Sequence, residues 1–256
     1  MLGKLLKYEI PALGRKLVPL YAAWAATAVF MGIMIGPAQG EGGFMMVLSA
    51  LLYFSVAVAI FVMSVIMIIQ RYNNSLLGEE AYFNMVLPVK ASDHIANKLI
   101  SAMIWILLTG IVAIGTALII GLFAGAMYGL NIDWSLLADH ITGREILLFV
   151  EILILFFLSL VKTVLQIYTA ITIGHQAGQH TTLASIGAYI GVMIFESAIG
   201  RIFALFFPAI MDQTSQISDF GQVQLLFVPA MIVSLVLVAV YFIVCKVLME
   251  KRLNLN

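Results

Sequence analysis

The sequence predicts an all-α membrane protein with six transmembrane helices, an N-terminal interfacial amphipathic helix and a short cytoplasmic coupling helix. Of its 256 residues, 63% are hydrophobic and only 10% are charged, and the mean hydropathy is +1.09. A water-soluble domain of this composition would expose a very large apolar surface. We therefore expect a single transmembrane domain over residues 1–256, crossing the membrane several times and contacting membrane lipid.

The N-terminal segment, residues 1–17, places leucines and Ile10 at intervals of three and four residues, with lysines, Glu9 and Arg15 between them. This pattern predicts an amphipathic helix in the headgroup plane, bent near Pro11. The alternative is a plain basic tail that only helps to orient the protein. Six apolar runs of 18 to 28 residues follow, each long enough to cross a bilayer. They cover residues 18–35, 44–69, 100–125, 146–173, 181–207 and 225–247.

The basic residues predict the orientation of these spans. With the N-terminus inside the cell, ten lysines and arginines fall in cytoplasmic segments and only Arg144 falls in an outer loop. Basic residues near span ends are strongly enriched on the cytoplasmic side. We therefore expect both termini to be cytoplasmic.

Charge and motif content exclude several classes of function. Thirteen basic and thirteen acidic side chains leave no net charge, and hence no footprint for nucleic acid. The sequence has no G-x-x-x-x-G-K-[ST] phosphate loop, so any ATP is expected to be hydrolysed on another chain. The sequence shows no nucleophile paired with a base, so it does not predict an enzyme. His175 and His180, five residues apart, diverge on a helix and are not expected to bind a metal. Cys245 is expected to be a buried free thiol.

A polar segment, residues 70–99, forms the largest predicted cytoplasmic connection. After Gly78, the acids Glu79 and Glu80 suit the first turn of a short helix, because carboxylates oppose the positive end of the helix dipole. Pro88 ends this helix by moving Leu87 out of the helical region. Such a helix, held between two spans, is suited to a groove on a cytoplasmic partner. The alternative is a solvated loop without a partner.

Four ionisable residues lie within the fourth and fifth predicted spans: Glu151, Lys162, Glu196 and Arg201. A charge at the bilayer centre costs about 2.5–3.5 kcal/mol on insertion scales, so each should face the bundle, a cavity or an opposite charge. Lys162 and Glu196 fall near mid-depth, and the other two fall in the outer half. They are interpreted either as ion pairs that dock two neighbouring helices or as a substrate or gating path. A proton relay is a third interpretation.

Four stretches carry a family resemblance. They are KLLKYEI with GRKLVPLY, RYNNSLLGEEAYFNMVLPV followed by Lys98 and Leu99, and ITIGHQAGQHTTLASIGAY. Together they resemble the six-helix permease subunits of type-two ABC transporters from Gram-positive bacteria. The most specific run is E-[AG]-Y-x4-L-P-V, formed here by Glu80, Ala81, Tyr82, Leu87, Pro88 and Val89.

The resemblance implies a permease subunit in the bacterial plasma membrane that exports a hydrophobic or amphipathic substrate, such as a peptide, a lipid or a drug. It implies a coupling helix over residues 78–89, which docks on a pair of ATP-binding subunits carrying ATP and Mg. A second permease subunit, identical or homologous, completes the transporter. The residues expected at the coupling contact are Glu79, Glu80, Tyr82, Phe83, Leu87 and Pro88.

The alternative function is an ion-coupled secondary transporter that uses the four intramembrane charges. It predicts internal repeats or broken helices. The sequence shows neither a convincing repeat between its halves nor a glycine-proline break in mid-span. The permease subunit is therefore the favoured prediction.

Overall fold

The computed structural model describes residues 2–35, 43–76, 90–128, 143–213 and 219–253. These residues form six long helices and one short 3₁₀ segment, His175–His180, and they contain no strand. The helices are α1 Leu2–Met34, α2 Gly43–Leu76, α3 Ala91–Tyr128, α4 Gly143–Gly174, α5 Thr181–Gln213 and α6 Asp219–Leu253.

All six helices are long and apolar enough to cross a membrane. They contain 32 to 38 residues. At 1.5 Å per residue this corresponds to about 48–57 Å, against a hydrocarbon core of about 30 Å. An unbroken helix satisfies its own backbone hydrogen bonds, which is what hydrocarbon requires. The prediction of an all-helical, multi-pass membrane protein is confirmed.

The N-terminal segment is continuous with the first span. The sequence predicts an interfacial helix that ends near residue 17, whereas α1 runs without interruption from Leu2 to Met34 with Pro11 and Pro19 inside it. A proline removes one backbone hydrogen bond, and a transmembrane helix tolerates this loss where neighbouring groups compensate. The location of the first 17 residues in the headgroup plane stays a prediction.

Contacts between Cα atoms divide the chain into two compact units. Unit 1 comprises Met1–Arg71 and Ile100–Ala138, and unit 2 comprises Tyr72–Leu99 and Asp139–Asn256. Helices α2 and α3 therefore each contribute residues to both units. The single transmembrane domain over residues 1–256 stays a prediction.

Unit 1 has an aromatic core between α1, α2 and α3. The Tyr21 hydroxyl shares a hydrogen bond with Thr109 Oγ1 at 2.7 Å, and the Tyr53 hydroxyl shares one with Thr116 at 3.0 Å. Buried tyrosines need such partners for their hydroxyl groups. The core residues repeat along α1 every three or four positions, as a helix buried on one face requires. They are Leu13, Leu17, Tyr21, Trp24 and Ala28 on α1, with Tyr53, Ile60, Met67 and Trp105 opposite.

Two local features fix how α1 meets its neighbours in unit 1. A Cβ atom at Gly32 would lie 2.7 Å from the Phe123 Cβ atom, so the absence of a side chain permits close approach of α1 and α3. At the other end of α1, Arg71 donates two hydrogen bonds to the buried Glu9 carboxylate, at 2.6 and 3.2 Å. A bidentate arginine–carboxylate pair of this kind fixes the orientation of both side chains.

Candidate functional site

The predicted coupling residues lie outside the part of the chain that the structure describes. These residues are Glu79, Glu80, Tyr82, Phe83, Leu87 and Pro88. The helices on either side are described: α2 ends at Leu76 and α3 begins at Ala91. Both flanking helix ends belong to unit 2. The predicted coupling segment is therefore attached at both ends to helices of unit 2.

A stacked pair of tyrosines joins these flanking ends to α4. The rings of Tyr72 and Tyr168 are 3.9 Å apart between centroids and inclined by 9°, and Tyr72 is 0% exposed. The Tyr72 hydroxyl shares a hydrogen bond with Thr172 Oγ1 at 2.9 Å. The Tyr168 hydroxyl donates to the backbone carbonyl of Lys98 at 3.2 Å. We call Tyr72, Tyr168 and Thr172 the tyrosine clamp, because it holds the end of α2 and the start of α3 against one helix.

Buried polar contacts extend the tyrosine clamp to α6. Thr169 Oγ1 and Cys245 Sγ are 3.2 Å apart, and the Cys245 thiol is fully buried, as the sequence predicts. The Tyr72 hydroxyl also lies 3.9 Å from the Met249 sulfur. Burying a hydroxyl group without a hydrogen-bond partner would cost free energy. These partners remove that cost, so the hydroxyl groups can be buried in the packed interior.

The first two turns of α3 turn a polar face into the protein. His94, Asn97 and Lys98 are 8%, 3% and 6% exposed, respectively. Their spacing of three and four residues places them on one side of the helix. Sequence reasoning missed this face, although the same spacing is visible in the sequence.

Two of the four intramembrane charges form an ion pair. Lys162 Nζ lies 3.2 Å from Glu196 Oε2, and the side chains are 21% and 18% exposed. The other carboxylate oxygen, Oε1, accepts a hydrogen bond from the Tyr241 hydroxyl at 2.8 Å. Both oxygens of Glu196 are therefore engaged, one by α4 and one by α6. This arrangement neutralises the Glu196 carboxylate near the middle of the fifth predicted span.

The other two intramembrane charges are not paired with each other. The Glu151 carboxylate accepts a hydrogen bond from the Gln224 side-chain amide at 2.8 Å. Arg201 is exposed, and within the described ranges no carboxylate lies within salt-bridge distance of it. We call Glu151, Lys162 and Glu196, with their α6 partners Gln224 and Tyr241, the charged seam. Sequence reasoning missed both α6 partners, because neither carries a charge.

No protein-family model matches this chain, no curated protein is significantly similar to it, and no solved structure resembles it significantly. Functional interpretation therefore depends on the residues and contacts of the chain itself.

Metal binding finds no support in the described ranges. They contain no group of three or more histidine, cysteine, aspartate or glutamate side chains that could hold a metal ion. The His175 Nδ1 atom lies 3.0 Å from the Ile171 carbonyl oxygen, a contact to its own helix end. The functional proposals below rest on the charged seam and the tyrosine clamp, both of which lie in unit 2.

Proposed function

We propose that this chain is the permease subunit of an ATP-driven ABC transporter, an exporter of a hydrophobic or amphipathic substrate. A separate pair of ATP-binding subunits supplies ATP and Mg. Three observations support this proposal: the six helices able to cross a membrane, the E-A-Y-x4-L-P-V run between the second and third of them, and a sequence without a phosphate loop.

The tyrosine clamp is the observation that carries the proposal. Energy from a partner must pass from the segment between α2 and α3 into the spans. Tyr72 at the end of α2 and the Lys98 carbonyl at the start of α3 both contact Tyr168 on α4. Packed side chains of this kind move together because interiors have few voids. A displacement of the predicted coupling helix would therefore be transmitted to α4 through direct contacts.

The predicted docking chemistry involves Glu80 and Tyr82. The acid is expected to meet a basic residue of the ATP-binding subunit, and the ring to fill an apolar pocket, since aromatic anchors dominate many interfaces. Glu80→Lys would place like charges together, and Tyr82→Ala would empty the pocket. Each change should lower substrate-stimulated ATP hydrolysis in the reconstituted complex by on the order of tenfold, corresponding to a loss of about 1.4 kcal/mol.

The matched control is Glu41→Lys, the same charge reversal in a predicted outer loop. It should leave ATP hydrolysis and co-purification of the ATP-binding subunit unchanged. Normal stimulation and full co-purification in both Glu80→Lys and Tyr82→Ala would contradict the proposal, because a solvated loop without a partner tolerates both changes.

Two permease subunits are expected in each transporter, since the resembled family has two such subunits and ATP-binding subunits work as a pair. The measurement is the mass of the purified complex. A complex with one permease per two ATP-binding subunits that retains full transport activity would contradict this expectation.

A second candidate function, the ion-coupled secondary transporter, is supported by the charged seam. Lys162 and Glu196 are partly exposed, so the pair is not sealed inside the protein, as an ion or substrate site requires. This function predicts uptake or efflux in vesicles driven by a proton or sodium gradient, without ATP and without a partner subunit. Glu196→Gln should abolish that transport. Gradient-driven transport by the isolated chain would favour this candidate over the permease subunit.

A further inference from the structure

The N-terminal part of α1 presents a basic groove that the proposed transport function does not use. Lys7, Arg15 and Lys16 are exposed, and Tyr8 is 78% exposed. Positions 7, 11 and 15 form one row along the helix and positions 8, 12 and 16 form the next. Between these rows lies a groove of about 430 Å³, lined by Lys7, Tyr8, Pro11, Ala12, Arg15 and Lys16.

Among the residues that the structure describes, no carboxylate compensates the positive charge of this groove. Glu9 is the only acidic residue of α1, and it is 6% exposed and engaged by Arg71. Within the described ranges, no carboxylate lies within salt-bridge distance of Lys7, Arg15 or Lys16. The groove therefore retains a net positive charge that favours an anionic ligand.

The position of the groove along α1 indicates which anion it meets. The 18 residues after Lys16, ending at Met34, contain no charged side chain. Along a helix they extend about 27 Å, close to the hydrocarbon thickness of about 30 Å. Arg15 and Lys16 consequently lie at the edge of the hydrocarbon layer, where lipid phosphates begin. Tyr8 and the lysine stem of Lys7 provide apolar contact beside the charges, as is typical of side chains at the interface.

We propose that this groove binds the headgroup of an anionic phospholipid, with Lys7, Arg15 and Lys16 contacting its phosphate and Tyr8 covering the headgroup. Basic residues donate strong hydrogen bonds to phosphate oxygens, and a basic cluster next to a span favours anionic lipid. The site needs only α1 and the membrane, so it stands whether or not the chain is a permease.

The test uses the 256-residue chain in a neutral detergent, titrated with dioctanoylphosphatidylglycerol or with dioctanoylphosphatidylcholine. Native mass spectrometry measures the population with bound lipid. We expect the wild-type protein to prefer the anionic lipid. The triple variant Lys7→Gln, Arg15→Gln and Lys16→Gln should bind it on the order of 100-fold more weakly, from about fivefold for each basic residue removed.

The matched control removes three basic residues elsewhere on the predicted cytoplasmic side, Lys90→Gln, Lys246→Gln and Lys251→Gln. It should keep wild-type affinity. Single changes at Arg15 vary the charge at one position of the groove. Arg15→Lys keeps the charge and should keep affinity within a few fold, whereas Arg15→Glu reverses it and should lower affinity by at least about fivefold.

Four results would overturn the proposal. Equal loss in the control triple variant would mean that only net charge matters, and equal binding of the two lipids would exclude headgroup recognition. Displacement of the lipid by an equal concentration of inorganic phosphate, or capture of a polyglutamate peptide in excess of lipid, would assign the groove to a soluble anion.

Discussion

Removing one ring of the tyrosine clamp should destabilise unit 2 strongly. Tyr72 is fully buried and stacks on Tyr168 at 3.9 Å. Truncating a buried aromatic side chain to alanine costs about 3–5 kcal/mol, because transfer free energy is lost and a cavity remains. Tyr72→Ala and Tyr168→Ala should therefore each lower the free energy of unfolding by about this amount.

The phenylalanine variants separate the stack from the hydrogen bonds. Tyr72→Phe loses the contact with Thr172, and Tyr168→Phe loses the donation to the Lys98 carbonyl, while each keeps its ring. Each should lower the free energy of unfolding by about 0.5–1.5 kcal/mol, the usual net contribution of an intramolecular hydrogen bond to stability. Both variants should stay folded, which allows function to be measured.

The assay is reversible unfolding in a mixed micelle, followed by steric trapping. In a double-mutant cycle, Tyr72→Ala and Tyr168→Ala should couple by about 1–2 kcal/mol, because they share one stack and one cavity. Tyr8→Ala, a tyrosine that is 78% exposed, is the matched control and should change stability by less than about 0.5 kcal/mol. Additive effects within about 0.5 kcal/mol would refute the tyrosine clamp as a coupled unit.

Three further predictions concern an ion pair, a close approach of two helices and the orientation in the membrane. Lys162→Met should leave the Glu196 carboxylate without its cation and lower the free energy of unfolding by about 2–3 kcal/mol. Adding Glu196→Gln should recover most of this loss, as denaturant titration would show. Gly174→Ala should prevent normal folding because its Cβ atom would overlap the backbone of the following helix, whereas Gly187→Ala has open space and should be silent in size-exclusion chromatography. A cysteine replacing Asp139 should react with an impermeant maleimide from outside intact cells and one replacing Lys251 should not; the opposite pattern would reverse the predicted orientation.

The sequence predicted the six helices long and apolar enough to cross a membrane because that signal is local. A run of apolar residues long enough to cross hydrocarbon must satisfy its backbone internally, whatever surrounds it. The continuity of α1 was missed for the opposite reason. The change from an amphipathic to an apolar pattern predicted a boundary at residue 17, but α1 continues across it with Pro11 and Pro19 inside one helix, and its packing in unit 1 supports it.

The candidate sites could be predicted only in part. Opposite charges on consecutive antiparallel helices indicated contacts such as that between Lys162 and Glu196, and these two residues lie 3.2 Å apart. Tyr241 and Gln224 could not be found in this way, because their role depends on how α6 is rotated against α4 and α5. Tyr72 and Tyr168 are separated by 96 positions in the numbering, so no local pattern connects them. Tertiary packing alone brings the two rings together.

Helix α4 carries residues of both the tyrosine clamp and the charged seam, and its geometry determines which neighbouring helices each of them contacts. Lys162 and Thr169 are seven residues apart and so lie on nearly the same face, which meets Glu196 and Cys245. Tyr168 lies about 100° away from Thr169 around the helix and meets the ends of α2 and α3 instead. A rotation or shift of α4 driven at Tyr168 would therefore change the Lys162 to Glu196 distance, about 9 Å further along the helix. The proposed coupling through α4 predicts that Tyr168→Phe changes the solvent accessibility of the charged seam and that Tyr8→Ala leaves it unchanged.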